Sequence, residues 1–114
     1  MSDPRFRPRD FCVDSNLFGK AEVVEWISAV SEQEHLLVAA KIQHYFAWRI
    51  RHQIKNSVHP TKVYAVASRT SYDRLMKMLR GETIIRLEDL GRAENILGVK
   101  VLLMDQPLWD PARD

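Results

Sequence analysis

Cysteine occurs once in the 114 residues, as Cys12, which excludes an intramolecular disulfide and any multi-cysteine zinc site. A lone thiol fits a reducing, cytoplasmic setting. Long apolar runs are missing as well: the longest, residues 36–40, holds five residues against the roughly 20 a membrane-spanning helix needs. Arg5, Arg7 and Arg9 stand near the N-terminus without an apolar stretch and small-residue cleavage site behind them, so no secretory signal is expected. Glycine is scarce and forms no phosphate-cradling loop. His35, His44, His52 and His59 are spread over expected helix surface and turns, with no H-x-x-x-H spacing, paired carboxylates or neighbouring Cys/His pair. These absences predict no enzyme, no metal site and no cofactor.

The chain has the composition of one soluble globular domain, 46% hydrophobic and 28% charged. A net charge of +2 conceals an uneven distribution. Residues 49–80 carry eight basic side chains and one acid, a local balance of +7, whereas the remainder sums to −5. Positive charge concentrated in one stretch is the footprint of a surface that meets phosphates; the plainer reading is a solvated basic face.

Hydrophobic periodicity predicts an all-α fold of five helices, with a short C-terminal strand possible over residues 99–104. Residues 1–14 are Pro- and Arg-rich and read as a loosely ordered basic arm, which Phe6 and Phe11 can pin to the body. Leu17, Val24 and Ile27 recur at helical spacing and predict a first helix from Asp14 or Ser15 to Val30. Ser31 and Glu34 have capping-box spacing, so a long helix is expected from Glu32 to Lys55. One of its faces carries Leu36, Ala40, Ala47, Ile50 and Ile54; a second carries Val38, Ile42, Tyr45 and Phe46. An apolar arc that wide predicts packing on two sides, one of them against a partner chain. Residues 15–56 thus read as a helical pair suited to dimerisation.

Residues 57–98 are expected to hold three shorter helices. Pro60 suits a helix start, with Val63, Tyr64 and Ala67 inward and Ala65 at a close approach. Thr70 or Ser71 caps the next helix, Leu75 and Leu79 anchor it, and Gly81 ends it. That anchoring turns Tyr72, Asp73, Met76, Lys77 and Arg80 outward. A last helix over residues 86–97 presents Leu87, Leu90, Ala93, Ile96 and Leu97 to the core and stops at Gly98, leaving residues 99–114 as an extended tail.

Two short helices with basic residues on the second have the geometry that places a helix in the major groove. Tyr64-Ala65 in the first helix, Ser71 opening the second, Leu75 four residues on and Arg80-Gly81 at its close are similar to the lambda-repressor-like, Xre-type helix-turn-helix family. Residues 85–98 resemble that family's next helix, so the resemblance covers about 40 residues of the 114. The chain departs from the family pattern at Arg69, where glycine is usual in the turn, and at Leu79, where glutamate is common. By position, the resemblance implies DNA contacts from Thr61, Tyr72, Asp73, Met76, Lys77 and Arg80.

Chemistry supplies its own candidates. Backbone N–H groups near Ser71 suit a phosphate. Lys77 or Arg74 can donate to guanine O6 and N7, and Tyr72 can meet a thymine methyl or a phosphate. Asp73 either caps its helix or accepts from cytosine N4. Arg49, Arg51 and Lys55 complement the C-terminal dipole of the long helix or meet phosphate. The arginine arm is either solubilising or a minor-groove tail. Trp26, Tyr45, Phe46 and Trp48 read as core and interface.

The functional expectation is a double-stranded-DNA-binding transcriptional regulator, a repressor acting as a homodimer on a symmetric site. The alternative is an antitoxin-like or phage-encoded adaptor whose N-terminal half binds a second protein. No membrane association is expected.

Overall fold

The computed structural model describes residues 6–58 and 60–101, and these form an all-α protein. Four α-helices are present among the described residues: α1 (Glu34–Asn56), α2 (Thr61–Ala67), α3 (Tyr72–Leu79) and α4 (Leu87–Leu97). None is long and apolar enough to cross a membrane.

The helix expected between Asp14 and Val30 does not form. Its place is taken by a 3-10 turn, Ser15–Leu17, followed by irregular chain, with a second 3-10 turn, Pro8–Phe11, ahead of it. An isolated antiparallel bridge joins Cys12 to Trp26: Val13 donates to the Glu25 carbonyl and Ile27 to that of Phe11, at 2.9 and 3.0 Å. Tertiary contact overrides the helical periodicity at Phe18-Gly19. Phe18 is fully buried, worth about 2–3 kcal/mol of hydrophobic stabilisation, and Gly19 lies at φ +71°. A Cβ at Gly19 would collide with the Leu79 carbonyl oxygen, so glycine lets this loop close onto the end of α3. His44 of α1 holds the loop in place. Its Nδ1 accepts from the Gly19 N–H at 2.9 Å, leaving the proton on Nε2 to be donated to the Glu22 carbonyl at 3.2 Å. The imidazole also meets Phe18 and Trp26 edge to face, so it is a buried structural group and not the surface histidine its helical position suggested. Within the nominal arm, Pro8 and Phe11 are buried, and Phe6 packs edge-on against Phe11.

The Ser31 capping box is not realised, because Ser31 lies inside a 3-10 turn, Ser31–Gln33, and Val30 takes the preceding extended position. α1 then runs through the centre of the molecule. Ala40, Ala47, Ile50 and Ile54 are buried as expected, whereas Val38, Ile42 and Tyr45 remain exposed. Two α1 glutamines hold the loops around α4. Gln43 donates to the Thr83 carbonyl and accepts from the Ile85 N–H, and Gln53 donates to the Leu97 carbonyl. The core joins Phe18, Ile50, Ile54, Tyr64, Leu75, Met78, Leu79, Ala93 and Val99.

Several expected facings differ. Tyr64 and Ala65 are buried in α2, but Val63 and Ala67 are exposed. In α4 Ala93 is buried, whereas Ile96 and Leu87 face outward, Leu87 with 86% of its surface accessible. The helix is anchored instead through Asp89 and the loop held by Gln43. Residues 99–101 form no strand; Val99 is buried, and the rest of the expected strand lies outside the described residues.

Candidate nucleic-acid interface

α2 and α3 are joined by a four-residue turn in which Arg69 takes a left-handed conformation, φ +60°. The Thr70 N–H donates to the Ala65 carbonyl and the Arg69 N–H to that of Val66, which closes α2 with the paired bonds usual where glycine follows a helix. The position at which the family resemblance implies glycine therefore has a glycine-like backbone, occupied by arginine. Ser71 caps α3 as expected, its Oγ accepting from the Arg74 N–H at 3.0 Å. At the other end, Glu82 and Gly81 donate to the Lys77 and Met78 carbonyls. Gly81 lies at φ +75°, and a Cβ there would come within 2.6 Å of the Phe18 ring. The buried N-terminal loop thus abuts the end of α3.

Leu75, Met78 and Leu79 anchor α3, which leaves Tyr72, Asp73 and Lys77 on the accessible side and Met76 and Arg80 half-buried. Lys62 of α2 lies over the Tyr72 ring, 5.6 Å from its centroid, so the two helices share one cationic and aromatic edge. Lys77 pairs with Asp73 one turn earlier at 3.2 Å; both side chains are exposed, and such a pair exchanges readily with solvent or with another anion. Asp73 is therefore neither the cap, which Ser71 provides, nor buried. Arg80 is held by Glu82 at 2.6 Å, and Arg9 reaches the same carboxylate oxygen at 3.3 Å.

Arg74 is the site candidate whose position differs most from expectation. Its guanidinium is turned onto Asp89, at 2.7 and 3.0 Å, and binds α4 instead of facing outward. Asp89 also accepts from the Arg86 N–H at 2.8 Å, so one carboxylate caps α4 and fixes α3. Sequence reasoning missed this residue. An acid in the first turn of a helix looks like a dipole partner, and nothing local announces an arginine fifteen positions away.

The basic stretch divides in space. Arg49 donates to the Lys100 carbonyl at 2.8 Å and lies over Tyr45, serving the C-terminal segment. Arg51 and Lys55 instead line a cleft of about 260 Å³ with Thr61 and Met76, two of the expected contact residues. Thr61, Met76, Lys77, Tyr72 and Arg80 therefore belong to the α2–α3 region with the end of α1 beside it, while Arg74 is committed inward. Among the described residues no group of three or more His, Cys, Asp or Glu is placed to hold a metal ion. Comparison with protein-family models, with characterised proteins and with solved structures finds no match to this chain.

Proposed function

We propose that the chain is a sequence-specific DNA-binding regulator of transcription, acting in the cytoplasm as a homodimeric repressor, with α2 and α3 as a helix-turn-helix. The observation that carries this reading is the exposure pattern of α3. Its leucines are buried, while Tyr72 and Lys77 keep 44% and about half of their surface accessible beside Lys62. A short helix anchored from below with a cationic outer side meets the requirement for insertion in a major groove. Lys77 is the base-reading candidate and Arg80 a phosphate partner, with Tyr72 at the rim; Arg74 positions the helix through Asp89.

The dimer rests on a second observation. An apolar groove of about 390 Å³ lies between α1 and the start of α4, lined in part by Ile42, Phe46, Ile84 and Leu87. It is the second apolar side of α1, and one recognition helix reads too few base pairs to define a site alone. The same groove supports the rival reading, an adaptor that binds a different protein there.

The test begins with selection of bound sequences from a random DNA pool, followed by anisotropy titrations with the winning duplex. Lys77→Ala with Arg80→Ala should weaken binding at least tenfold, as loss of two charged contacts implies, while stability falls by only about 1 kcal/mol through loss of the Arg80–Glu82 pair. Wild-type affinity in that variant refutes α3 as the reading helix. Sedimentation at micromolar concentration decides the dimer: a strict monomer with and without DNA removes it. Co-purification with a stoichiometric second polypeptide, without retention on DNA at low salt, favours the adaptor.

A further inference from the structure

We propose that the apolar groove between α1 and α4 is the seat of this chain's own C-terminal segment, with Leu103 in the groove and Asp105 at the start of α4. Residues 102–114 lie outside the described residues; what is fixed is the route by which the chain reaches them. After α4 the backbone reverses at Gly98, φ +73°, and the Val99 N–H returns to the Ala93 carbonyl at 3.3 Å. Gln53 of α1 meets the Leu97 carbonyl at 3.0 Å, and Arg49, one turn earlier on the same face, meets the Lys100 carbonyl at 2.8 Å. The chain therefore moves back along α1 towards Phe46 and Ile42. On the other side Glu94 of α4 accepts from the Val101 N–H at 2.9 Å. Arg49 follows Phe46 and Ile42 on one face of α1, as Glu94 follows Leu90 and Leu87 on α4. Those four apolar residues line the groove, so Val101 stands at its mouth.

Spacing and charge then select the residues. Val99 is buried, Lys100 exposed and Val101 half-buried, the alternation of an extended chain with one side inward. Continued, it turns Leu103 and Asp105 to that same side. Two extended residues span about 7 Å, which matches the about 6 Å from Glu94 back to Leu90 along the helix, so Leu103 arrives opposite Leu90. Two more bring Asp105 level with Arg86. There an exposed guanidinium, paired loosely with Glu88 at 3.8 Å, and the positive end of the helix dipole both favour a carboxylate.

The groove has the surface such a segment covers. Leu87, Ile42 and Ile84 keep 86%, 52% and 50% of their surface accessible around one space of about 390 Å³. Single exposed apolar side chains are ordinary, but several around one groove mark a surface that something covers. Leu102, Leu103 and Met104 follow directly from the groove's mouth. Tethered there, they have a far higher effective concentration than a second molecule. The inference goes beyond the regulator reading and needs neither DNA nor a dimer. In the homodimer proposed above, a second copy meets this face with the segment in place.

The experiment records nuclear Overhauser contacts between methyl groups of the full chain, labelled at Leu and Ile and diluted in excess unlabelled protein. Only contacts within one molecule are then seen, and Leu103 should show them to Ile42 and Leu90. Leu103→Gln should lower the thermal midpoint by about 4 °C, and Leu102→Gln by less. Once Ile42→Gln is present, Leu103→Gln should have little further effect, because both remove the same contact. Absence of the Leu103 contacts overturns the seat whatever the midpoints do. Contacts that appear only when Leu-labelled chains are mixed with Ile-labelled chains also overturn it, and give the groove to a second copy. A midpoint for Leu103→Gln no lower than that for Leu102→Gln overturns the placement of Leu103.

Discussion

Both terminal nitrogens of Arg74 meet the carboxylate of Asp89, at 3.0 Å to Oδ1 and 2.7 Å to Oδ2, and this pair is the polar tie between α3 and α4. Asp89 keeps only 4% of its side chain accessible, and Arg74 keeps 27%. Burial alone pushes the Asp89 carboxyl up, but the hydrogen bonds from Arg74 and the Arg86 backbone, with the charges of Arg74 and Arg92, together hold it below the ordinary range. A carboxylate depressed on folding stabilises the protein fully above its unfolded value, about 3.9, and loses that contribution as pH falls through the folded value.

Asp89→Asn should therefore cost about 2 kcal/mol at pH 7, less than a fully buried broken pair because Arg74 retains contact with water. Urea midpoints of wild type and variant should converge as pH drops below about 4. A gap that stays constant between neutral and acid pH contradicts the assigned role.

The turn at Arg69 carries its own prediction. A non-glycine residue at φ +60° costs about 1–2 kcal/mol, part of which glycine returns through its greater freedom in the unfolded chain. Arg69→Gly should raise stability by about 0.5–1 kcal/mol, a shift of about 4 °C in thermal midpoint, and Arg69→Val should lower it. Because Arg69 is exposed, the comparison also isolates its charge. If Arg69→Gly is more stable but binds DNA less well, the strained turn is retained for the guanidinium it presents.

These two residues mark where sequence and structure part company. The ends of α2, α3 and α4 were legible because their signals are local: Pro60 before α2, the Ser71 hydroxyl on the Arg74 N–H, Gly81 and Gly98 at positive φ. The N-terminal third was not, because its apolar spacing fits a helix while its conformation is set from outside. Phe18 packs at Gly81, Gly19 abuts Leu79, and His44 takes the Gly19 N–H, all from residues at least 25 positions away. Leu87 and Ile96 match the inward face of a helical wheel, yet α4 is rotated so that Asp89 and Ala93 are buried. Within the site, the outward set was recovered at Tyr72, Asp73 and Lys77 by placing the leucines beneath. Arg74 was misplaced because its partner is tertiary.

Tyr64 is one group sensitive to alkaline pH. Burial first, and the negative charge of Asp89 second, push its phenol up to about 12, with Arg92 acting in the opposite sense. The folded form favours the neutral phenol, so its contribution is complete below the unfolded value near 10 and disappears as pH climbs towards the folded one. Tyr64→Phe should abolish the late step in the ultraviolet titration and flatten the loss of stability over that interval. An unchanged late step assigns it to another tyrosine and places Tyr64 in contact with water.

Glu82 sits where fold and proposed function compete. It accepts from Arg80 at 2.6 Å and from Arg9 at 3.3 Å, and the hydrogen bond from Arg80 is the leading reason its carboxyl is held below the usual range. In the DNA-binding reading, this acid draws Arg80 away from phosphate and places negative charge beside a cationic edge. Glu82→Gln should then tighten duplex binding several-fold at low salt and steepen the salt dependence by about one unit, since one more cation becomes available to displace counterions. Stability should fall by less than about 1 kcal/mol, because both partners of the pair meet water. The backbone N–H of Glu82 closes α3 through Lys77 and does not depend on the side chain, so the helix end survives the substitution. Weaker duplex binding with an unchanged thermal midpoint points to the opposite role: Glu82 then aims Arg80 at its phosphate, and the pair acts in recognition as one unit.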